Sequence, residues 1–180
     1  MATQGWCLFD TAIGACGLAW GELAITGVQL PEGEADMTRA RMRTRFPGVA
    51  EAPAPAWAAA AAARVTALLA GAHDDLSDLP LDMRGVPEFQ QRVYALARAI
   101  PPGQVRTYGE LARELGEPGA SRAVGQALGH NPFAPVVPCH RILAAGGRSG
   151  GFSAGGGART KLRMLEIEQA VLGQGPGLFD

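Results

Sequence analysis

The sequence predicts an α+β fold in two parts: a small N-terminal sheet-plus-helix domain over residues 1–82, then a helical domain over residues 83–180. The second domain is a helix-turn-helix of winged-helix-like form that carries a Pro-Cys-His-Arg loop. Three observations predict this. Apolar residues alternate at Cys16, Leu18 and Trp20, the period of a half-buried strand. Beyond Val86 the spacing changes to three and four at Phe89, Val93, Leu96, Ala97 and Ile100, the stripe of a core-facing helix. Two further short helical stretches then flank a glycine-containing turn.

Each element has its own signals. Gly21-Glu22 offers a turn after the first strand, and residues 23–25 and 28–30 continue the sheet. Residues 31–55 are polar, arginine-rich and broken by proline and glycine, and read as an irregular connection. Residues 57–70 are dominated by alanine, the best helix former, and read as one helix. Residues 71–82 read as a linker. Pro87 suits the first helical position, and Pro101-Pro102-Gly103 stops that helix. Thr107 and Glu110 have the form of a capping box, with Leu111 and Leu115 on one face and Gly116 as the C-terminal cap. Ser121 reads as the N-cap of a second helix running to about Gly129. In that helix Val124 and Leu128 pack inward, Ala123, Gly125 and Ala127 form the other face, and Arg122 stands at the exposed end.

Composition narrows the function. The N-terminus lacks the basic start and apolar run of a secretory signal, and no stretch is long enough to span a bilayer, so a cytoplasmic protein with no membrane partner is expected. Three cysteines at unequal spacing suggest neither a disulfide framework nor a ribbon-type zinc site. Up to Met83 about five basic residues face about ten acids, whereas residues 84–168 carry about eleven against about six. The second half therefore suits a polyanion, or simply has a solvated surface with uneven arginines.

The chemistry concentrates at Cys139, which follows an apolar run and a proline and precedes His140 and Arg141. A thiolate is the reactive form of cysteine, and neighbouring cationic groups lower its pKa. The alternative is an inert buried cysteine. On an extended chain His140 would point away from the sulfur and need a water or a bend to reach it. Glu168 shares a helix face with Met164, Leu165, Val171 and Leu172, and a carboxylate on an apolar face needs a partner.

The run VPCHRI at residues 137–142 resembles the active-site motif of the O6-alkylguanine-DNA alkyltransferases, also called methylated-DNA–protein-cysteine methyltransferases. The similarity continues in order through VPEFQQRVYALARAIPPGQVRTYGELA, SRAVGQALGHNP and KLRMLEIE, roughly residues 79–168. It implies direct, stoichiometric and irreversible transfer of an alkyl group from guanine O6 in double-stranded DNA to Cys139, with O4-alkylthymine as a second candidate substrate. No cofactor is implied, and the chain is expected to act as a monomer. His140 would activate Cys139 through a water and Glu168 would orient His140. Tyr108 would donate a proton to the departing guanine, and Asn131 would link the recognition helix to the active site. Arg122 would enter the base stack through the minor groove in place of the flipped nucleotide, with Ser121, Ala123, Gly125 and Ala127 lying against the groove. Val136, Val137, Phe152 and Ser153 would line the substrate pocket.

The sequence also departs from the family. The usual Gly-Tyr-x-Gly-Gly loop is longer here and has Phe152 for tyrosine, which leaves its pocket contacts open. Some members bind zinc through two Cys and two His, but Cys7 and Cys16 have only His73 in their half, so no metal site is expected. Two competing readings are a non-catalytic alkylguanine-binding relative, which would lack the cysteine, and a sequence-specific regulator. The latter would need more long polar side chains on its second helix.

Overall fold

The computed structural model describes residues 2–145 and 157–170. Gly14, at φ +125°, lets the chain reverse between β1 (Gly5–Thr11) and β2 (Gly14–Trp20), and the Thr11 hydroxyl closes the turn by donating to the Gly14 carbonyl at 2.8 Å. With β3 (Ile25–Gln29) they form an antiparallel sheet in the order β1-β2-β3. The sequence reading leaves β1 without an element, because its apolar residues do not alternate cleanly.

Both faces of β2 are buried, and its alternation sorts them. Cys16, Leu18 and Trp20 join the main core, while Gly17 and Ala19 face α1 (Ala35–Arg45). A Cβ on Gly17 would sit 2.6 Å from the Met42 sulfur, so the glycine is what lets α1 lie on the sheet. Helix α1 falls where an irregular connection was expected. Only Thr38 and Met42 of this helix are buried, so its apolar stripe is too thin to see, although Ala, Met and Arg are all good helix formers. On the opposite face α2 (Ala56–Leu68) packs through Ala58, Ala61, Ala62, Val65 and Leu68, close to the expected helix.

Residues 71–82, expected as a linker, are pinned on both sides. Ile25 donates its backbone N–H to Pro80 O at 2.8 Å, and Asp82 returns one to Ile25 O at 2.8 Å. Leu76 and Leu79 are buried, and Arg98 Nη2 donates to the carbonyls of Leu76, Ser77 and Leu79. One apolar core runs through both halves, from Leu18 and Ile25 through Leu68 and Tyr94 to Val124 and Cys139.

The second half begins with α3 (Glu88–Arg98), for which Pro87 is the N-cap and not the first helical residue. β4 (Arg106–Thr107) leads straight into α4 (Tyr108–Glu114), where the capping box forms. Thr107 Oγ1 accepts from Glu110 N at 3.1 Å, and the Glu110 carboxylate accepts from the Thr107 backbone. The helix ends in a Schellman motif: Gly116, at φ +77°, donates to Arg113 O and Glu117 donates to Ala112 O. α5 (Ser121–Gly129) follows. Ser121 is its first residue and makes no cap, because Ala120 occupies the N-cap position and its carbonyl accepts from Val124 N. A 3-10 turn (Cys139–Arg141), β5 (Ile142–Leu143) and α6 (Ala158–Ile167) complete the described chain.

Helices α3 and α5 are joined by the buried Tyr94 hydroxyl, which donates to Ala127 O at 2.7 Å. Tyr94→Phe is expected to lower stability by about 1 kcal/mol, the typical net value of one buried hydrogen bond. The change would be read as a lower urea midpoint at constant m-value. An unchanged midpoint would show that this bond does not hold α5.

Candidate active site

Two residues of parallel pairing build the site. Arg106 pairs with Ile142 and Thr107 with Leu143, so the first residue of α4, Tyr108, is set beside the 3-10 turn that carries Cys139. The turn replaces the extended run expected there, and it is deeply buried: Cys139 is 6 % exposed, His140 0 % and Arg141 1 %.

Glu168, at the C-cap of α6, is the common partner of this turn. His140 Nε2 lies 2.7 Å from Glu168 Oε1. Arg141 donates from Nε to Oε2 at 3.0 Å and from Nη2 to Oε1 at 2.7 Å, while its Nη1 donates to Ile100 O at 2.8 Å. Burial alone would raise the Glu168 carboxyl, but the bonds from His140 and Arg141 outweigh it and hold the group at about 2. Because an ionised carboxylate only accepts, Nε2 carries the proton and Nδ1 is left as an acceptor. Nδ1 is buried and has no hydrogen-bond partner among the described residues. Burial lowers the His140 pKa despite the carboxylate, so the ring is neutral at pH 7 and able to take a proton.

Cys139 corrects one expectation. Burial raises its pKa above the usual thiol value, and this outweighs the Asn131 side chain and the charge of Lys161, both of which lower it. The flanking Arg141 does not supply the expected activation, because its guanidinium is committed to Glu168 and Ile100. The cation acting on the sulfur is Lys161, fully buried on α6, whose ammonium donates to Ile142 O at 2.7 Å and lies 5.8 Å from the Tyr108 ring centroid. Desolvation brings Lys161 down to about 8, against the opposing pull of Cys139. Its signal was present in the sequence: a lysine three, four and seven residues before Met164, Leu165 and Glu168 stands on the buried stripe. Tyr108 is half-buried, and desolvation followed by the Cys139 charge raises its phenol.

Asn131 ties the end of α5 to the segment that leads into the Cys139 turn. Its Nδ2 donates to Val137 O at 2.7 Å and its Oδ1 accepts from Phe133 N at 2.9 Å. On the other side of Tyr108 lies a groove of about 850 Å³, lined by Tyr108, Arg113, Ser121, Arg122, Gly125 and Ala145 among others. Arg122 is exposed, Ser121 and Ala123 are partly so, and a Cβ added at Gly125 would meet nothing within 4 Å. Ala127 does not belong to this face. It is 2 % exposed, because three residues after Val124 it falls back on the core side of the helix. Val136 and Val137 are likewise fully buried in the core and do not line the groove. Phe152 and Ser153 lie outside the described residues. Among those described, no group of three or more His, Cys, Asp or Glu is placed to hold a metal ion, and no helix is long and apolar enough to cross a membrane.

Residues 88–170 match the family model of the 6-O-methylguanine DNA methyltransferase DNA-binding domain. The methylated-DNA–protein-cysteine methyltransferase of Mycobacterium leprae is 37% identical over 171 residues, covering 95% of this chain and 96% of the relative. Its namesake in Mycobacterium bovis is 48% identical over 103 residues, 57% of this chain, and the match spans 61% of that relative's length. Among solved structures, a variant of Mycobacterium tuberculosis OGT superposes with a TM-score of 0.75 at 36% identity, covering 98% of this chain and 99% of the other. Mycobacterium tuberculosis OGT in complex with DNA gives 0.74 at 36% identity over 92% of each chain.

The buried cluster sets how stability depends on pH. His140 and Glu168 both have lowered pKa values in the folded chain, so the unfolded chain binds more protons as pH falls. Their contribution is complete above the ordinary histidine value of 6.5 and is lost in two stages, first as pH drops below 6.5 and then between 4.5 and about 2. Denaturant midpoints measured from pH 8 to pH 3 should fall in that order, and Glu168→Gln should make the lower stage shallower, leaving the part that Asp74, Asp78 and Glu110 contribute. A flat profile through pH 6 would mean that His140 is not buried in its neutral form.

Proposed function

From the premise that this chain belongs to the O6-methylguanine-DNA methyltransferase family, we propose that it repairs DNA by transferring an alkyl group from guanine O6 to its own Cys139, once per molecule. The observation that carries this reading is the buried Cys139–Arg141 turn, in which Glu168 orients a neutral His140 whose Nδ1 has no partner among the described residues, one residue after a thiol that burial keeps protonated. Such a thiol needs a base at the moment of reaction, and a neutral, oriented imidazole is suited to that role.

In the proposed reaction the Cys139 proton passes to His140 Nδ1 through a bridging water, while Glu168 holds the Nε2–H. Sulfur attacks the alkyl carbon, the S–C bond forms and the C–O6 bond breaks, with its electron pair leaving on guanine. Tyr108 gives its phenolic proton to the departing base, and Lys161 stabilises the transient negative charge on sulfur and phenol. The product is a thioether, a stable end point for a single transfer. Double-stranded DNA containing O6-alkylguanine, with O4-alkylthymine as a secondary substrate, is the proposed partner of a monomer acting in the cytoplasm. Arg122 fills the place of the extruded nucleotide, and the small Ala123 and Gly125 leave the groove face clear for close approach.

Incubation with duplex DNA containing O6-methylguanine should add one methyl group per molecule, located by peptide mass analysis on Cys139. Methyl on Cys7 or Cys16, or repeated turnover by one molecule, would refute the mechanism.

Arg122→Ala should slow repair of duplex DNA tens-fold or more, since unstacking a base costs on the order of a few kcal/mol and about 1.4 kcal/mol is one factor of ten. Reaction with free O6-benzylguanine needs no extrusion and should change little. Arg122→Lys should recover part of the loss by restoring charge without the planar group. Equal impairment on duplex and free base would assign Arg122 to the pocket or the fold.

A further inference from the structure

Two hydrogen bonds cross from the N-terminal half to the loop that precedes the reactive turn, and they end on a single carbonyl. Pro132 O accepts from Val28 N of β3 at 2.9 Å and from Arg45 Nη2 at 3.1 Å. Arg45 Nη1 also donates to Val28 O at 2.9 Å and to Gln29 Oε1 at 3.0 Å, so one guanidinium braces β3 against Pro132. Pro132 directly follows Asn131, whose side chain bonds Val137 O and Phe133 N and lines the same cavity as Cys139. Arg45, Asn131, Pro132 and Cys139 line one cavity of about 250 Å³ between the two halves.

The seat is built for an arginine. The guanidinium carbon lies 5.2 Å from the Phe46 ring centroid, and a Cβ on Gly27 would come within 2.6 Å of Phe46 Cζ and 2.9 Å of Arg45 Nη2. Burial and then the charge of Arg41 bring the Arg45 pKa down to about 10, which leaves it charged at neutral pH. Position in the last turn of α1 favours that charge. A lysine, with one compact ammonium, cannot span the same set of acceptors as a planar fork.

We propose that Arg45 is a positioning residue for alkyl transfer: by holding Pro132 it fixes the Asn131 side chain against the Cys139 sulfur. The inference rests on the function proposed above, yet it makes a claim about thiol reactivity that stands apart from it. Displacement of a reacting group by about 1 Å costs up to about a hundred-fold in rate, so a loosened brace has a measurable effect.

The test uses the full chain with Arg45→Met, Arg45→Lys and, as a control, Arg64→Met. Arg64 is also in the N-terminal half and also makes several bonds, to Asp74 and Asp78, but it contacts no part of the reactive loop. Two readouts are taken: the rate of Cys139 alkylation by free O6-benzylguanine, and the pH midpoint of Cys139 labelling by iodoacetamide, followed by peptide mass analysis. The titratable groups coupled to the sulfur, Lys161, Tyr94 and Tyr108, and the adjacent His140 are the same in every variant.

Arg45→Met should slow benzylguanine transfer about ten-fold and move the labelling midpoint to higher pH, because the Asn131 side chain, which lowers the thiol pKa, is no longer held beside it. Arg45→Lys should fall between this variant and the wild type. Arg64→Met should lose stability without moving the midpoint. If Arg45→Met does not fold, Arg45→Lys, which keeps the charge and loses the fork, carries the same midpoint test. A wild-type midpoint and rate in the Arg45 variants, or an equal shift in Arg64→Met, would overturn the proposal. Failure of the wild type to react with benzylguanine would instead overturn the proposed function, and the iodoacetamide midpoints would still decide the role of Arg45.

Discussion

The carboxylate of Glu168 is the interaction on which the reactive region depends. It sits at the C-terminal end of α6, where the helix dipole disfavours negative charge, and it is 5 % exposed. Such a group persists only if cations and donors surround it, and His140 and Arg141 supply three bonds at 2.7 to 3.0 Å. Arg141 then passes the constraint on to the end of α3 through Ile100 O, while a Cβ on Gly103 would stand 3.4 Å from Glu168 O. Three segments distant in sequence are therefore registered against one side chain. Buried ion pairs are often no more stabilising than well-packed apolar residues of similar size, so the energetic return of this cluster is small beside its geometric one. What it fixes is the tautomer of His140 and the direction of its remaining lone pair.

This arrangement divides the labour around Cys139. Burial opposes ionisation of the thiol, which in the proposed reaction would protect a single-use nucleophile from adventitious reaction. The groups given roles around the thiol in the proposed reaction are each anchored elsewhere: His140 to Glu168, Lys161 to Ile142 O, Asn131 to Val137 O. None has to reorganise to act, which is the condition under which charged and dipolar groups lower a barrier most effectively.

The sequence was most legible where local chemistry decides structure. The Thr107–Glu110 capping box, the Gly116 termination and the apolar stripe of α3 rest on interactions within a few residues, and the structure forms each of them. It was least legible where a distant backbone decides. Helix α1 shows no apolar stripe because only two of its residues reach the sheet, and Arg45 gives no signal because its partners are carbonyls contributed by β3 and by Pro132. At Ala127 the error was one of phase: a small residue was assigned to the open face by its chemistry, although its position beside Val124 and Leu128 already put it in the core. At Cys139 neighbours in sequence are not the neighbours in space. The turn instead directs Arg141 to Glu168, and the cation near the sulfur comes from α6. Glu168 itself was legible, since a carboxylate on an apolar stripe states its need for a partner without naming it.

The N-terminal half contributes none of the groups placed in the proposed reaction, yet it is not a detached module. Its sheet edge, through Ile25, pairs with residues 80–82, its β3 and α1 converge on Pro132, and its core is continuous with that of the helices. A loop such as residues 130–138 has little regular hydrogen bonding of its own and would otherwise sample several conformations. Asn131 satisfies part of its backbone from within, but Asn131 can place Cys139 only if its own main chain is held. That hold comes from outside the helical half, through Val28 and Arg45. The acidic, sheet-bearing half is thus accounted for by mechanics: on the proposed reading it holds the loop between α5 and Cys139.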